Sequence, residues 1–257
     1  LGDTLAEIAA EKAAIARPRK PMFVRDIDDT EARSAVENEA HNAEQEPLGE
    51  SPSPANLEWI TIDSKSSMKE EALMLVKVAL SHLNFKIDSI DESMQSLNWP
   101  GRMQHIEPMS WGGSLFVDAA HNPSGLKRVL PSITERVASK MEWCLVFGCT
   151  PQNDLEEFVQ PLIDLCKKNP PANILLTVPQ TGRYPGVPLS ELVHLDWSST
   201  EAVHQAPTPQ DVKPILEQLR PQYTLAIGSL YLIGELFETF DLYGSKHLEL
   251  FSPNTQR

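Results

Sequence analysis

SLFVDAAHNP, residues 114–123, is a short apolar run that ends on a carboxylate and crosses a polar loop to Asn122-Pro123. Residues 114–117 read as a buried strand, with Asp118 at its carboxyl end. Asn122 reads as the N-cap and Pro123 as the first turn of a helix to about Ser139. An Asn side chain satisfies the first unpaired N–H groups, and proline has no N–H to lose there. A strand, a polar loop and a helix start is where open α/β sheets bind ligands. The helix N-terminus offers N–H groups and a partial positive charge to a phosphate.

The rhythm continues on both sides. Downstream, strand 143–148 (WCLVFG) leads to helix 154–167, and strand 173–178 (NILLTV) leads to a loop and weaker elements. Thr208-Pro209 starts a helix to about Leu219, and strand 223–228 (YTLAIG) feeds helix 229–239. Strands apolar almost throughout, alternating with helices, predict an α/β fold: a Rossmann-like, mostly parallel sheet with helices on both faces. Upstream, Leu5, Ile8, Ala9, Lys12 and Ile15 recur at helical spacing, with Thr4 or Asp3 to cap and Glu7 to complete a capping box on Thr4. Pro18 and Pro21 end that helix. Residues 22–24 and 57–63 read as strands and residues 88–97 as a short helix. Residues 68–83 read as a helix with Leu73, Val76, Leu80 and Leu83 on one face. A domain boundary is placed near Asn98, giving parts 1–98 and 99–257. No internal repeat is visible.

Composition narrows the partners. The 257 residues carry a net charge of −14, which argues against nucleic acid. The charge is uneven: nine acidic residues and one basic residue (Arg33) between Asp26 and Glu50 account for −8 of it. Segment 26–56 therefore reads as a solvated stretch, with an exposed helix over roughly 30–45 and a Pro/Ser-rich end. Cys144, Cys149 and Cys166 show no metal spacing, and an odd count without a framework fits a reducing compartment. No apolar stretch approaches the length of a membrane span. The chain opens on Leu1, directly into a helical pattern, with no signal or transit segment to read; the expectation is that its true beginning is missing.

Several side chains are candidates for chemistry, each with a plain structural alternative. Asp118, at a strand end, can accept two ribose hydroxyls or cap its own loop. His121, at the helix entrance, can meet a phosphate or carboxylate, or bond to backbone. Arg102 follows the turn dipeptide Pro100-Gly101. Its rigid, always-charged fork suits a phosphate or base, or an ordinary salt bridge. Gly228-Ser229 forms a second strand-to-helix turn that can hold a carboxylate, or Ser229 is simply an N-cap. Nothing in its spacing marks out Lys12, beside Glu11.

Together, four segments resemble the folylpolyglutamate synthase and dihydrofolate synthase family, within the Mur ligase group. They are LGDTLAEIAAEKAAI (1–15), WPGRMQ (99–104), FVDAAHNP (116–123) and IGSLYLIGE (227–235), in the family's order and at its intervals. Segment 26–67 is poorly similar. The resemblance implies an ATP-dependent amide ligase. ATP phosphorylates a carboxylate on a pterin substrate, and the amino group of L-glutamate attacks the acyl phosphate. It further implies that residues 1–98 are part of the central ATPase domain and 99–257 the C-terminal domain. By position, Arg102, Asp118 and Asn122 match the nucleotide-side residues. His121 and Ser229 match residues near the phosphates and the incoming glutamate. Lys12 matches a lysine that is carbamylated in several relatives and helps hold Mg²⁺. Implied partners are ATP, Mg²⁺, dihydropteroate or folate, and L-glutamate. The implied state is a monomer, with no nucleic acid and no membrane. The implied compartment is the cytoplasm, with the mitochondrion as the alternative. His-Asn-Pro at 121–123 looks more like dihydrofolate synthases and bifunctional bacterial-type enzymes than eukaryotic folylpolyglutamate synthases.

The sequence also departs from the family. Its glycine-rich phosphate loop, Gly-Thr-Asn-Gly-Lys-Gly, and the magnesium-binding acid and histidine expected near it do not occur. Ala14 replaces an expected glycine, and Ala72 an expected nucleotide-contacting asparagine. Stabilising phosphoryl transfer needs that cradle and its Mg²⁺. The expectation is that these 257 residues alone are not a competent ligase, with a non-catalytic nucleotide-binding or interaction fragment as the rival reading. A Mur-type ligase acting on a cell-wall peptide precursor is a third. Asp118→Ala is expected to weaken ATP use in a full-length form while leaving the fold intact.

Overall fold

A computed structural model of the chain describes residues 2–43, 54–63, 66–86, 90–95, 97–139, 142–197, 202–244 and 246–249. The chain divides into two compact units, Leu1–Met94 and Gln95–Arg257.

The first unit begins with α1 (Leu5–Ala13), where Thr4 and Glu7 form the capping box the sequence predicts. Strand β1 (Pro21–Arg25), helix α2 (Thr30–His41) and strand β2 (Asn56–Ile60) follow, and β1 and β2 pair in parallel. The expectation of an exposed helix over 30–45 needs correction. Helix α2 buries Ala32, Val36 and Ala40, one residue every turn, and packs along α1. The acidic residues occupy its other face, so charge density alone concealed an apolar stripe. The rest of that predicted segment, 44–53, lies outside the described residues. Helix α3 (Met68–His82) forms from a capping box of Ser67 and Glu70, yet buries none of its residues. Val76 and Leu83, expected to share a face with Leu73 and Leu80, are 40% and 60% exposed. Within this unit a two-stranded sheet is too narrow to cover that helix. Helix α4 (Ile90–Gln95) falls within the predicted 88–97; residues 87–89 and 96 lie outside the described residues.

The second unit is a six-stranded sheet. Its elements are β3 (Gln104–Ile106), β4 (Ser114–Asp118), α5 (Pro123–Ala138), β5 (Trp143–Phe147), α6 (Leu155–Lys168), β6 (Asn173–Thr177), α7 (Leu189–Leu192), β7 (Val203–Ala206), α8 (Val212–Leu219), β8 (Tyr223–Ile227) and α9 (Leu230–Thr239). Strand order is β3-β4-β8-β5-β6-β7, parallel except for antiparallel β3. Every residue of β4, β5 and β8 is buried. Alternate side chains feed two cores, as a strand covered on both faces requires. Phe116, Leu145, Phe147, Leu225 and Ile227 join the stripes of α5 and α6. Leu115, Val117, Cys144, Val146 and Ala226 join α8 and α9.

The edge strands β3 and β7 were not anticipated from the sequence. They are three and four residues long, with alternating burial, and so lack the apolar run that betrays an inner strand. Pro131 and Pro161 lie inside α5 and α6. Pro131 is exposed, so the carbonyl it leaves without a helical donor faces water rather than core. No helix among the described residues is long and apolar enough to cross a membrane.

Candidate active site at the carboxyl edge of the sheet

Strands β4 and β8 are neighbours, but the helices that follow them diverge. Helix α5 leaves β4 for one face of the sheet, and α9 leaves β8 for the other. That divergence defines a topological switch point, and the crevice at the strands' carboxyl ends is the expected ligand position. Strands β8 and β5 diverge in the same way, but backbone closes that gap. Gly228 has φ +123°, and a Cβ there would lie 2.6 Å from the Gly148 carbonyl oxygen and 2.7 Å from the Phe147 ring. The switch point left as the candidate is therefore the one beside Asp118.

The turn at 99–103 is bound to that crevice. The Ala119 N–H donates to the Gly101 carbonyl at 2.8 Å, and the Met103 N–H donates to Asp118 Oδ2 at 2.9 Å. Buried Gln104 braces the turn from behind: its Oε1 accepts from the Gly101 N–H at 2.9 Å, and its Nε2 donates to the His247 carbonyl at 2.7 Å. Asp118 Oδ1 accepts from the Ala120 N–H at 2.8 Å. Asp118 itself is 0% exposed. As built, it anchors the Trp-Pro-Gly-Arg turn and its own loop, and no oxygen of it faces open crevice. The expectation that Asp118→Ala would spare the fold is revised on this geometry.

The remaining candidates divide clearly. Arg102 is half-buried beside Asp118, and its guanidinium makes no hydrogen bond or ion pair with any described residue. His121 is exposed, and its Nδ1 lies 2.9 Å from the Ala119 carbonyl. A carbonyl only accepts, so Nδ1 is the nitrogen that donates there, and Nε2 is the ring nitrogen left without a partner. Asn122 is the N-cap of α5, its Oδ1 accepting from the Gly125 N–H at 2.7 Å and the Ser124 hydroxyl at 3.0 Å. Ser229 is buried and caps α9, its Oγ accepting from the Tyr231 N–H at 3.2 Å. Arg102, Asp118, His121, Asn122 and Ser229 thus belong to one edge of one sheet. Lys12 belongs to the first unit. It is exposed, 3.7 Å from Glu11, and lines a mostly apolar hollow of about 470 Å³ with Ala13, Met22 and Val36.

Burial raises the Asp118 carboxyl above its ordinary value; the N–H groups of Met103 and Ala120 and the charges of Arg102 and His121 pull the other way without prevailing. A carboxyl raised by folding contributes stability in full below its ordinary value, and that contribution is lost as pH rises through the raised value. The stability deficit of Asp118→Asn relative to wild type should therefore shrink as pH rises above the ordinary carboxylate range. A pH-independent difference would show that Asp118 ionises without cost.

The three thiols are buried, and burial pushes each up to about 12. They are therefore not nucleophiles at neutral pH. Among the described residues no group of three or more His, Cys, Asp or Glu could hold a metal ion. The crevice does suit an anion: Arg102, half-buried at its edge, is charged at every physiological pH.

One further functional-looking residue, the last of the block IGSLYLIGE, was given no role in the sequence reading. Glu235 is 4% exposed on α9, and its carboxylate accepts from the N–H groups of Gln180 and Thr181 and from the Thr181 hydroxyl. The available signal was a lone acid inside the apolar helix LYLIGELF.

No protein-family profile matches the chain. Over 83 residues, 32% of this chain and 16% of the relative, it is 31% identical to the UDP-N-acetylmuramoyl-L-alanyl-D-glutamate–2,6-diaminopimelate ligase of Buchnera aphidicola. Three solved structures are similar over most of the chain. Folylpolyglutamate synthase of Mycobacterium tuberculosis, complexed with ADP and AMPPCP, matches with a TM-score of 0.66 at 15% identity, covering 93% of this chain and 60% of that one. The Thermotoga maritima folylpolyglutamate synthase gives 0.64 at 19%, covering 95% and 59%. E. coli FolC in complex with DHPP and ADP gives 0.66 at 16%, covering 95% and 59%. The chain has the fold of these solved synthases, and spans about 60% of their length.

Proposed function

We propose that this chain is the nucleotide-binding carboxyl portion of an ATP-dependent amide ligase that joins L-glutamate to a pterin or folate carboxylate. The observation that carries this reading is the meeting of two sequence blocks. WPGRMQ and FVDAAHNP, which resemble the ligase family in sequence, are hydrogen-bonded to each other at the switch point of a sheet with that family's fold. The likeness to proteins solved with ADP, AMPPCP and DHPP supports nucleotide and pterin as the ligand classes.

The residues take distinct parts. Arg102 binds the nucleotide, and Asp118 keeps Arg102 in place by holding the next residue's N–H. Asn122 and Ser229 fix the starts of α5 and α9 on either side of the crevice. His121 Nε2 takes the proton released when the glutamate amino group attacks. Bound nucleotide supplies the phosphoryl group that activates the acceptor carboxylate. The histidine-bearing motif favours dihydrofolate synthase over folylpolyglutamate synthase activity. One observation favours the second reading, a nucleotide-binding fragment without catalysis: the glycine-rich phosphate loop does not occur in these 257 residues.

Calorimetric titration of the chain with ADP tests the proposal. Binding is expected with a Kd between about 10 µM and 1 mM, a range suited to a site that grips one part of its ligand. Arg102→Ala should weaken it about tenfold or more, the value of a charge-assisted hydrogen bond. Absence of binding by wild type, or equal binding by Arg102→Ala, would sink the reading.

A further inference from the structure

We propose that Glu235 is a positioning residue that ties the loop between β6 and α7 to α9, making that loop a fixed wall of the carboxyl-edge crevice. The wall's purpose rests on the ligand reading given above; the tie itself rests on geometry alone.

A buried carboxylate with no cation beside it is costly unless its lone pairs are filled. Among the described residues no Lys or Arg pairs with Glu235. Instead one loop supplies every side-chain donor it has. Oε1 accepts from the Gln180 N–H at 2.9 Å, the Thr181 N–H at 2.7 Å and the Thr181 hydroxyl at 2.6 Å. Oε2 shares the Gln180 N–H at 3.0 Å. A loop with no regular structure of its own is thereby fixed to a helix more than fifty residues away.

A second hold lies one helical turn earlier. Gly182 has φ +123°, and a Cβ there would sit 2.9–3.0 Å from atoms of the Tyr231 ring. The Gly182 backbone therefore lies directly on that ring, in a conformation that suits glycine. The far end of the loop is pinned as well, since the Val187 N–H donates to the Cys149 carbonyl at 2.9 Å. Between these holds Arg183 and Tyr184 project, both exposed.

The loop's place follows from backbone contacts. A Cβ on Gly148 would collide with the Thr177 carbonyl, and one on Gly228 with the Gly148 carbonyl. The carboxyl ends of β6, β5 and β8 are thus in direct succession, and the last of them leads to Ser229. Tyr231, under Gly182, is also the residue whose N–H binds Ser229 Oγ. The first turn of α9 is therefore shared by the crevice and the loop. Glu235 keeps both on one rigid element, with the Arg183 cation on the same edge. The ligand group such a wall favours is an anion, either a phosphate or a carboxylate.

The test uses the whole chain as wild type, Glu235→Ala, Glu235→Gln and Gly182→Ala. Three quantities are measured: tryptic cleavage of the Arg183–Tyr184 bond by intact mass, the melting curve, and affinities for ADP and for L-glutamate. Gly182→Ala acts from the exposed loop side, so it decides the matter if Glu235→Ala fails to fold. Cleavage is expected to be about tenfold faster in Gly182→Ala and Glu235→Ala, with Glu235→Gln closer to wild type, because Gln keeps one acceptor oxygen. Ligand affinity should fall severalfold in the same order, with Gly182→Ala melting below wild type but above Glu235→Ala, because its strain is relieved by lifting an exposed loop. Loss confined to ADP identifies a phosphate at the wall, and loss confined to L-glutamate a carboxylate. Unchanged cleavage in Gly182→Ala, and in Glu235→Ala where that variant folds, overturns the tie. Faster cleavage with unchanged affinity for a ligand that wild type binds overturns the wall. If wild type binds neither ligand, the crevice reading and the wall fail together, and the cleavage order still decides the tie.

Discussion

Asp118→Ala is expected to lower the stability of the second unit by about 2–4 kcal/mol and to weaken ADP binding about tenfold or more in the same step. Both effects come from the same two hydrogen bonds. The carboxylate accepts the N–H groups of Met103 and Ala120, at 2.9 and 2.8 Å, from a position with no solvent exposure. Removing it strands two buried or half-buried donors, each worth roughly 1.5–3 kcal/mol when its acceptor is charged. The same burial that raises the carboxyl offsets part of this, which keeps the expected total below the sum. Losing the Met103 anchor also frees the turn that carries Arg102, so affinity falls although Asp118 touches no open space. Asp118→Asn preserves shape and one acceptor, and should lie between wild type and Ala in both urea unfolding and ADP titration. Wild-type stability with lost affinity would instead restore a direct ribose contact.

Gly228→Ala should be the most destabilising single change in the second unit, by about 2–6 kcal/mol, combining left-handed strain with overpacking. The methyl would meet the Gly148 carbonyl at 2.6 Å and the Phe147 ring at 2.7 Å, neither of which is the free end of a long side chain. The backbone is at φ +123°, where any side chain is strained. Relief requires β8 and β5 to separate at their carboxyl ends, which opens the core around Phe147. Soluble expression and urea unfolding report the effect. A variant within about 1 kcal/mol of wild type would mean that the β5–β8 edge is loosely packed.

The inner strands were legible because each is a five-residue apolar run, and the start of α5 because Asn122 and Pro123 combine a cap with a proline at N1. The short strands β3 and β7 were not, since an edge strand half in water needs no apolar run. The apolar stripe of α2, hidden among acids, shows that composition over a window does not report the face of a helix. The residues of the crevice were also legible; what they bond to was not. Asp118 meets Met103 across fifteen residues, and Glu235 meets Thr181 across fifty-four. No local pattern encodes a carboxylate's acceptance of distant backbone N–H groups. Such contacts appear only once the β-α alternation has brought the strand ends to one edge.

The most direct test of the central claim is a backbone amide NMR titration of the isotopically labelled chain with ADP. The account predicts shift changes concentrated at residues 101–103, 119–123 and 228–231, the two sides of the switch-point crevice. Changes centred elsewhere, or none at ADP concentrations well above 1 mM (about −4 kcal/mol of binding), would contradict it.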